Sequence, residues 1–186
     1  MVKINEGYIK KKDMLYLQNI VVDNNMFPWY VLPKPVSDKY PCMSHVLLPR
    51  YDYENNKGFK INSDLFEPML KIVEDICIKH KIKIKRILRA QFNLTWKFKG
   101  KYSTPHFDHG FPHKNIIIYL NKFTKGSTYL FKEKYSDKKA KTIIKEMKAD
   151  RGKYIVFPGE NYHAAGFPGK EGELRMICIF TLEEQK

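Results

Sequence analysis

Cysteine is scarce in this 186-residue chain, and the three present, Cys42, Cys77 and Cys178, lie far apart. They form no C-x-x-C pair, which argues against a disulfide framework and against a cysteine zinc site. A reducing, cytoplasmic setting is the simplest expectation. No run of about 18 apolar residues occurs, so neither a transmembrane helix nor a membrane partner is expected. The opening stretch MVKINEGYIKKKDMLYL lacks the apolar segment of a signal peptide. Internal repeats and low-complexity linkers are absent. Arginine is scarce too: of 34 basic residues only Arg50, Arg86, Arg89, Arg151 and Arg175 are arginines. Nucleic-acid readers use arginine for bidentate contacts. The net charge of +14 therefore rests on lysines spread along the chain, clustered at Lys10–Lys12, Lys79–Lys85 and Lys132–Lys145. That pattern reads as compositional bias, and nucleic acid stays a partner that the charge permits.

With 43% hydrophobic and 14% aromatic residues, the chain can bury a core. One domain over 1–186 is expected, with an N-terminal segment 1–85 and a core at 86–182. Residues 1–60 read as irregular, with Pro28, Pro33 and Pro35 favouring extended segments and turns. The FPWY cluster within them reads as a packing element. A short strand fits Cys42–Arg50. The clearest helix is Asp64–Lys81, where Leu65, Met69, Ile72, Val73 and Ile76 form one apolar stripe. Asp64 and Glu67 resemble a capping box, and Pro68 falls in the first turn. Strands follow at Arg86–Trp96, Asn115–Leu120, Ser127–Phe131, Thr142–Met147, Tyr154–Phe157 and Leu174–Leu182, most separated by turn signals. This succession implies a mostly β sandwich or jelly roll with a helix packed on one sheet. The charged stretch Lys132–Lys141 reads as a solvated hairpin.

The chemistry concentrates in YSTPHFDHG and YHAAGFPGKEGELRMICIF. His106 and Asp108 are two apart, so an extended backbone turns both toward one face. His163 follows Asp108 by 55 residues, far enough for a later strand to return beside the first. Two imidazoles and one carboxylate suit Fe(II), although ligand type alone does not exclude zinc. An H-x-D pair by itself is common. The order of features carries the weight: H-x-D, IIIYLN, GSTYLF, GKYIVFPG, the distal histidine, then Arg175 within the last strand. Arg175 shares a face with Ile177, Ile179 and Thr181, and a cation among such neighbours needs an anion. A co-substrate carboxylate or a structural salt bridge would satisfy it. His109 and His113 follow the H-x-D pair closely enough to touch the site, and Gln91 and Asn93 would face it if the polar side of their strand is the inner one.

On these motifs, residues Arg86–Leu182 resemble the double-stranded β-helix (jelly roll, cupin-like) domain of the 2-oxoglutarate- and Fe(II)-dependent dioxygenases, near the prolyl-4-hydroxylase-like branch. The FPWY…H and NL…HFDHG patterns are also similar to small oxygenase-like proteins of large bacteriophages, which would place the protein in a host cytoplasm. The resemblance implies that His106, Asp108 and His163 are the metal ligands and act in catalysis through the metal. It implies that Arg175 pairs with the distal carboxylate of 2-oxoglutarate, that the Tyr119 hydroxyl reaches the same group, and that Gly126 and Thr128 form the turn into the next strand. The cofactors implied are Fe(II), 2-oxoglutarate as co-substrate and O2, with ascorbate as an accessory reductant. One departure is Ile177, where many members carry serine or threonine; Tyr119 or a threonine elsewhere must then be the second donor.

The reading that follows is a hydroxylase converting 2-oxoglutarate to succinate and CO2 while oxidising a peptide or protein substrate at a residue such as proline. Oxidative demethylation or hydroxylation of a nucleic-acid base is the alternative enzyme, disfavoured by the lack of a second arginine after Arg175. A non-enzymatic metal-binding or nucleic-acid-binding β-sandwich is the remaining alternative.

Overall fold

The computed structural model describes residues 2–36, 39–52, 58 and 60–185. Alternation of apolar and polar residues decides the strands. In β4 (Ile84–Thr95) and β10 (Arg175–Glu184) the two series face opposite ways. Ala90, Phe92 and Leu94 of β4 join Met176, Cys178, Phe180 and Leu182 of β10 in the main core. Arg89, Gln91, Asn93 and Thr95 turn to the other side, with Arg175, Ile177 and Ile179. The polar side of β4 is thus the inner one.

The remaining elements are β1 (Asn5–Tyr8), α1 (Lys11–Leu17, continued by a π-helical turn Gln18–Val22), β2 (Tyr30–Leu32), β3 (Cys42–Leu48), α2 (Phe66–Lys79), β5 (Lys114–Tyr119), β6 (Thr128–Lys134), β7 (Ile143–Met147), β8 (Lys153–Pro158) and β9 (Asn161–Ala165). Seven strands form an antiparallel sheet in the order β1-β8-β5-β10-β4-β3-β2, and three form a second sheet, β7-β6-β9. From β4 onward the chain crosses repeatedly between them, so distant segments pair. This is a mostly β, double-stranded β-helix. Ile117, Tyr119, Ile155, Phe157, Ile177 and Ile179 of the large sheet meet Leu130 and Met147 of the small one in the layer between. The 132–141 stretch is the exposed β6–β7 hairpin.

Helix α2 covers the other face of the large sheet. Met69, Ile72, Val73 and Ile76 of its stripe are buried there. Its start differs from expectation. The helix begins at Phe66 with Leu65 as its N-cap residue and no side-chain cap, so Asp64 and Glu67 form no capping box. Ser63 Oγ instead accepts the Leu65 N–H at 3.3 Å.

The N-terminal region is not irregular throughout, contrary to the sequence reading. β1 extends one edge of the large sheet by pairing with β8, and β2 and β3 extend the other beside β4. Met14, Leu17 and Val21, at helical spacing, seat α1 and its continuation on the core. The strand expected at Cys42–Arg50 is β3; the short lengths of β1, α1 and β2 hid them, since periodicity needs a longer window. Phe27 of FPWY packs against Trp29, His45 and Phe92, with ring centroids 4.9, 4.8 and 5.7 Å apart.

Phe180 is fully buried and stacks on Phe66 of α2 with centroids 6.1 Å apart. Replacing it with alanine should cost about 3–5 kcal/mol. Urea unfolding of Phe180→Ala should show the loss, and a change below about 1 kcal/mol would contradict this packing.

Candidate metal centre

His106 and His163 are brought together by backbone pairing. His106 N–H donates to the His163 carbonyl at 2.9 Å and His163 N–H to the His106 carbonyl at 2.7 Å. A second bridge pairs Tyr102 with Gly166, so the segment before the H-x-D pair runs as a further rung beside β9. β9 itself pairs with β6, Leu130 opposite His163. Asn161 tightens that joint by donating to the carbonyls of Phe131 and Lys132 at 3.0 and 3.1 Å. The two imidazoles end 4.5 Å apart, centroid to centroid.

Each ring is oriented by its own backbone. His106 Nδ1 lies 3.2 Å from the Thr104 carbonyl, and His163 Nδ1 lies 3.1 Å from that of Asn161. A carbonyl only accepts, so Nδ1 carries the proton and Nε2 keeps its lone pair. That is the tautomer a metal-binding imidazole needs. Burial, then His163, brings the His106 pKa down to about 4, so its ring is neutral at pH 7.

Asp108 sits in a bend just past the rung, not on a named strand. Its Oδ2 lies 3.4 Å from His163 Nε2 and accepts from Asn115 Nδ2 at 2.6 Å. Its Oδ1 pairs with Arg89 at 2.7 Å, while Arg50 donates to its backbone carbonyl. Burial pushes the carboxyl upward, but Arg89 first and then the two histidines hold it well below the ordinary range. It is therefore a carboxylate with one oxygen occupied by a guanidinium and the other turned to the histidines.

His106, Asp108 and His163 offer ligand atoms within 4.8 Å of one another. With metal–ligand bonds of about 2 Å, small side-chain rotations suffice to enclose one cation. The donor set, its burial and the free Nε2 lone pairs fit Fe(II).

Arg175 lies at the start of β10, 1% exposed. Its Nε donates to the Gly126 carbonyl at 3.0 Å, one Nη donates to Thr128 Oγ1 at 3.1 Å, and the guanidinium lies 5.5 Å from the Tyr119 ring centre. Among the described residues no carboxylate lies within ion-pair distance of it. The structural salt bridge that could have explained this residue is not formed there. Gly126 adopts φ +66°, and a Cβ there would fall 2.4 Å from the Phe123 ring, so the carbonyl that Arg175 uses depends on glycine. Tyr119 is buried beneath, its hydroxyl 2.7 Å from Thr128 Oγ1. Thr128 is thus a hydroxyl bonded to the arginine, on the strand opposite the one where Ile177 stands.

A cavity of about 180 Å³ joins the two ends, lined by His106 and His163, by Arg175 and Thr128, and by the isoleucines 117, 177 and 179 between. That is far more than one water needs. Arg89, Gln91, Asn93 and Thr95 form a polar wall. Tyr119 stands behind Thr128 and does not line the cavity. Neither does His109 or His113. Those two are buried with ring centroids 5.0 Å apart, His109 lowered to about 3 by burial and then by Arg50, and His113 lowered by burial. The sequence reading missed the partners of Asp108. Arg89 had a signal, being a cation on the polar face of a buried strand; Arg50 and Asn115 had none.

The sequence matches no family model and no curated protein. The fold is similar to solved structures across nearly the whole chain. A 2OG-Fe(II) oxygenase family oxidoreductase from Burkholderia pseudomallei superposes with TM-score 0.72 at 11% identity, covering 97% of this chain and 84% of that one. A prolyl-4-hydroxylase from Pseudomonas putida gives 0.61 at 11%, covering 100% and 95%. A prolyl hydroxylase from Trichoplax adhaerens, in complex with a hypoxia inducible factor oxygen degradation domain peptide fragment, gives 0.57 at 11%, covering 96% and 82%. At such identities the likeness establishes the fold.

Titrating the metal-free protein with Mn(II), followed by electron paramagnetic resonance, should show one tight site. His106→Ala and Asp108→Ala should each weaken it at least about tenfold while keeping the circular dichroism spectrum. Unchanged affinity in either variant would remove that residue from the ligand set.

Proposed function

We propose that this protein is a 2-oxoglutarate- and Fe(II)-dependent oxygenase hydroxylating a peptidyl residue such as proline, in the cytoplasm of its cell or of a host. One observation carries the reading. The two histidines of a two-histidine, one-carboxylate cluster line one end of a cavity and a buried arginine lines the other, with no carboxylate of the described residues paired to that arginine. A small dicarboxylate that binds a metal through one end and presents an anion at the other would complete both.

His106 and His163 would hold iron through Nε2 and Asp108 through Oδ2. Bound iron would supply, with 2-oxoglutarate and O2, oxidative decarboxylation to succinate and CO2 coupled to hydroxylation of a substrate C–H bond, and ascorbate would serve as the accessory reductant. The chain's own residues place and enclose. Arg175 would hold the distal carboxylate by charge-assisted bonds, with the Thr128 hydroxyl beside it and Tyr119 bracing Thr128 from behind. Ile117, Ile177 and Ile179 line the stretch between with apolar surface, which would strengthen that pairing once the cavity is filled. Arg89 and Asn115 fix the Asp108 carboxylate so that its Oδ2 faces the histidines. The fold's likeness to a prolyl hydroxylase solved with a peptide fragment supports a peptide substrate, as does the amide-bearing wall of β4.

Supplied with Fe(II), 2-oxoglutarate and O2, the protein should release succinate. Arg175→Ala should raise KM for 2-oxoglutarate at least about tenfold, the scale of a lost charged hydrogen bond, while Mn(II) affinity changes little. No succinate from the wild type, or an unchanged KM in the variant, would refute the assignment.

A further inference from the structure

Two guanidinium groups meet on one carboxylate beside the cavity. Arg89 Nη2 lies 2.7 Å from Asp108 Oδ1, and Arg50 Nη2 lies 3.5 Å from the same oxygen. Among the described residues neither arginine has another carboxylate within ion-pair distance. The other oxygen of Asp108 accepts from Asn115 and faces His163, so this one anion cannot balance both cations. One positive charge is left over before any cation joins the cluster. Burial and then the neighbouring Arg89 lower the Arg50 pKa, which fits two like charges held close. Arg89 lines the cavity, and its Nε is buried without a hydrogen-bond partner. The Arg50 side chain is 45% exposed, open to an incoming group.

The same wall carries a second feature. Gln91 Nε2 donates to Asn93 Oδ1 at 2.6 Å. That leaves the Gln91 oxygen as an acceptor and the Asn93 nitrogen as a donor for a ligand in the cavity. One donor beside one acceptor matches the C=O and N–H of a peptide unit. A planar guanidinium pair matches a carboxylate.

We propose that the prime substrate is an acidic peptide whose aspartate or glutamate carboxylate docks on Arg50 and Arg89 while its backbone meets Gln91 and Asn93. The assignment deepens the oxygenase reading and rests on it for the term substrate; the binding does not require turnover. Phosphodiester strands could engage the arginines, but the amide pair has no role in holding their backbone.

The test is fluorescence anisotropy on the full chain loaded with Mn(II). The probes are two labelled proline-containing peptides identical except that one carries aspartate and glutamate where the other carries asparagine and glutamine, the acidic position being walked along either side of the proline. The acidic peptide should bind at least about tenfold more tightly than its amide twin, with a preference that fades as salt rises. Arg50→Gln should bring the preference close to unity, and Arg50→Lys should retain much of it. Equal binding of the twins, a preference untouched by Arg50→Gln, or tighter Arg50-dependent binding of a single-stranded oligonucleotide would each overturn the proposal. Succinate release without an acid preference would sink this inference alone. An acid preference with no succinate release would sink the oxygenase reading alone.

Discussion

The pair of hydrogen bonds between His106 and His163 is the joint on which the candidate site depends. It joins the segment following β4 to β9 across the small sheet, fixing two side chains that are 57 positions apart in the sequence. Directly opposed residues on an antiparallel ladder carry side chains on the same face. Both imidazoles therefore face the interior without any contact of their own being needed. Each ring is then set by a carbonyl two residues earlier in its own chain, Thr104 or Asn161. Backbone geometry fixes the ring positions and which nitrogen points to the backbone together.

Charge governs the rest of the interior. Buried cations and carboxylates must find partners. Asp108 has more cationic neighbours than it can neutralise, and Arg175 has hydroxyl, carbonyl and aromatic neighbours but no carboxylate among the described residues. The two ends of the cavity are thus both electrostatically incomplete in the direction of added negative charge. A dicarboxylate lying between metal and arginine, and an acidic group on the substrate, would answer these two needs separately. The isoleucines lining the stretch toward Arg175 lower the dielectric there, so a pairing with that buried arginine is worth more than it would be in water.

Much of the fold was legible because its strands are long enough to alternate. β4 and β10 showed two faces in sequence, and the stripe of α2 showed one; the structure buries the apolar members of all three together. What alternation could not tell was which face of β4 looks inward, because both faces are covered, one by α2 and the other by the small sheet. The short elements β1, β2 and β9 carry too few residues for a period to register, so the bounds of the strand bearing His163 were not legible in the sequence. The metal-ligand candidates could be picked out by residue type and order. Arg50 and Asn115 could not, since their roles arise from spatial approach to Asp108 across 58 and 7 positions in sequence. Thr128 became the hydroxyl beside Arg175 only once β6 was seen to face β10.

The most direct test of the central claim is a crystal structure with Mn(II) and N-oxalylglycine, an unreactive keto-acid mimic. The account predicts one metal bound by His106 Nε2, His163 Nε2 and a single Asp108 oxygen, with the far carboxylate of the mimic on Arg175 and Thr128. Metal bound elsewhere, or a mimic whose carboxylate leaves Arg175 untouched, would contradict it.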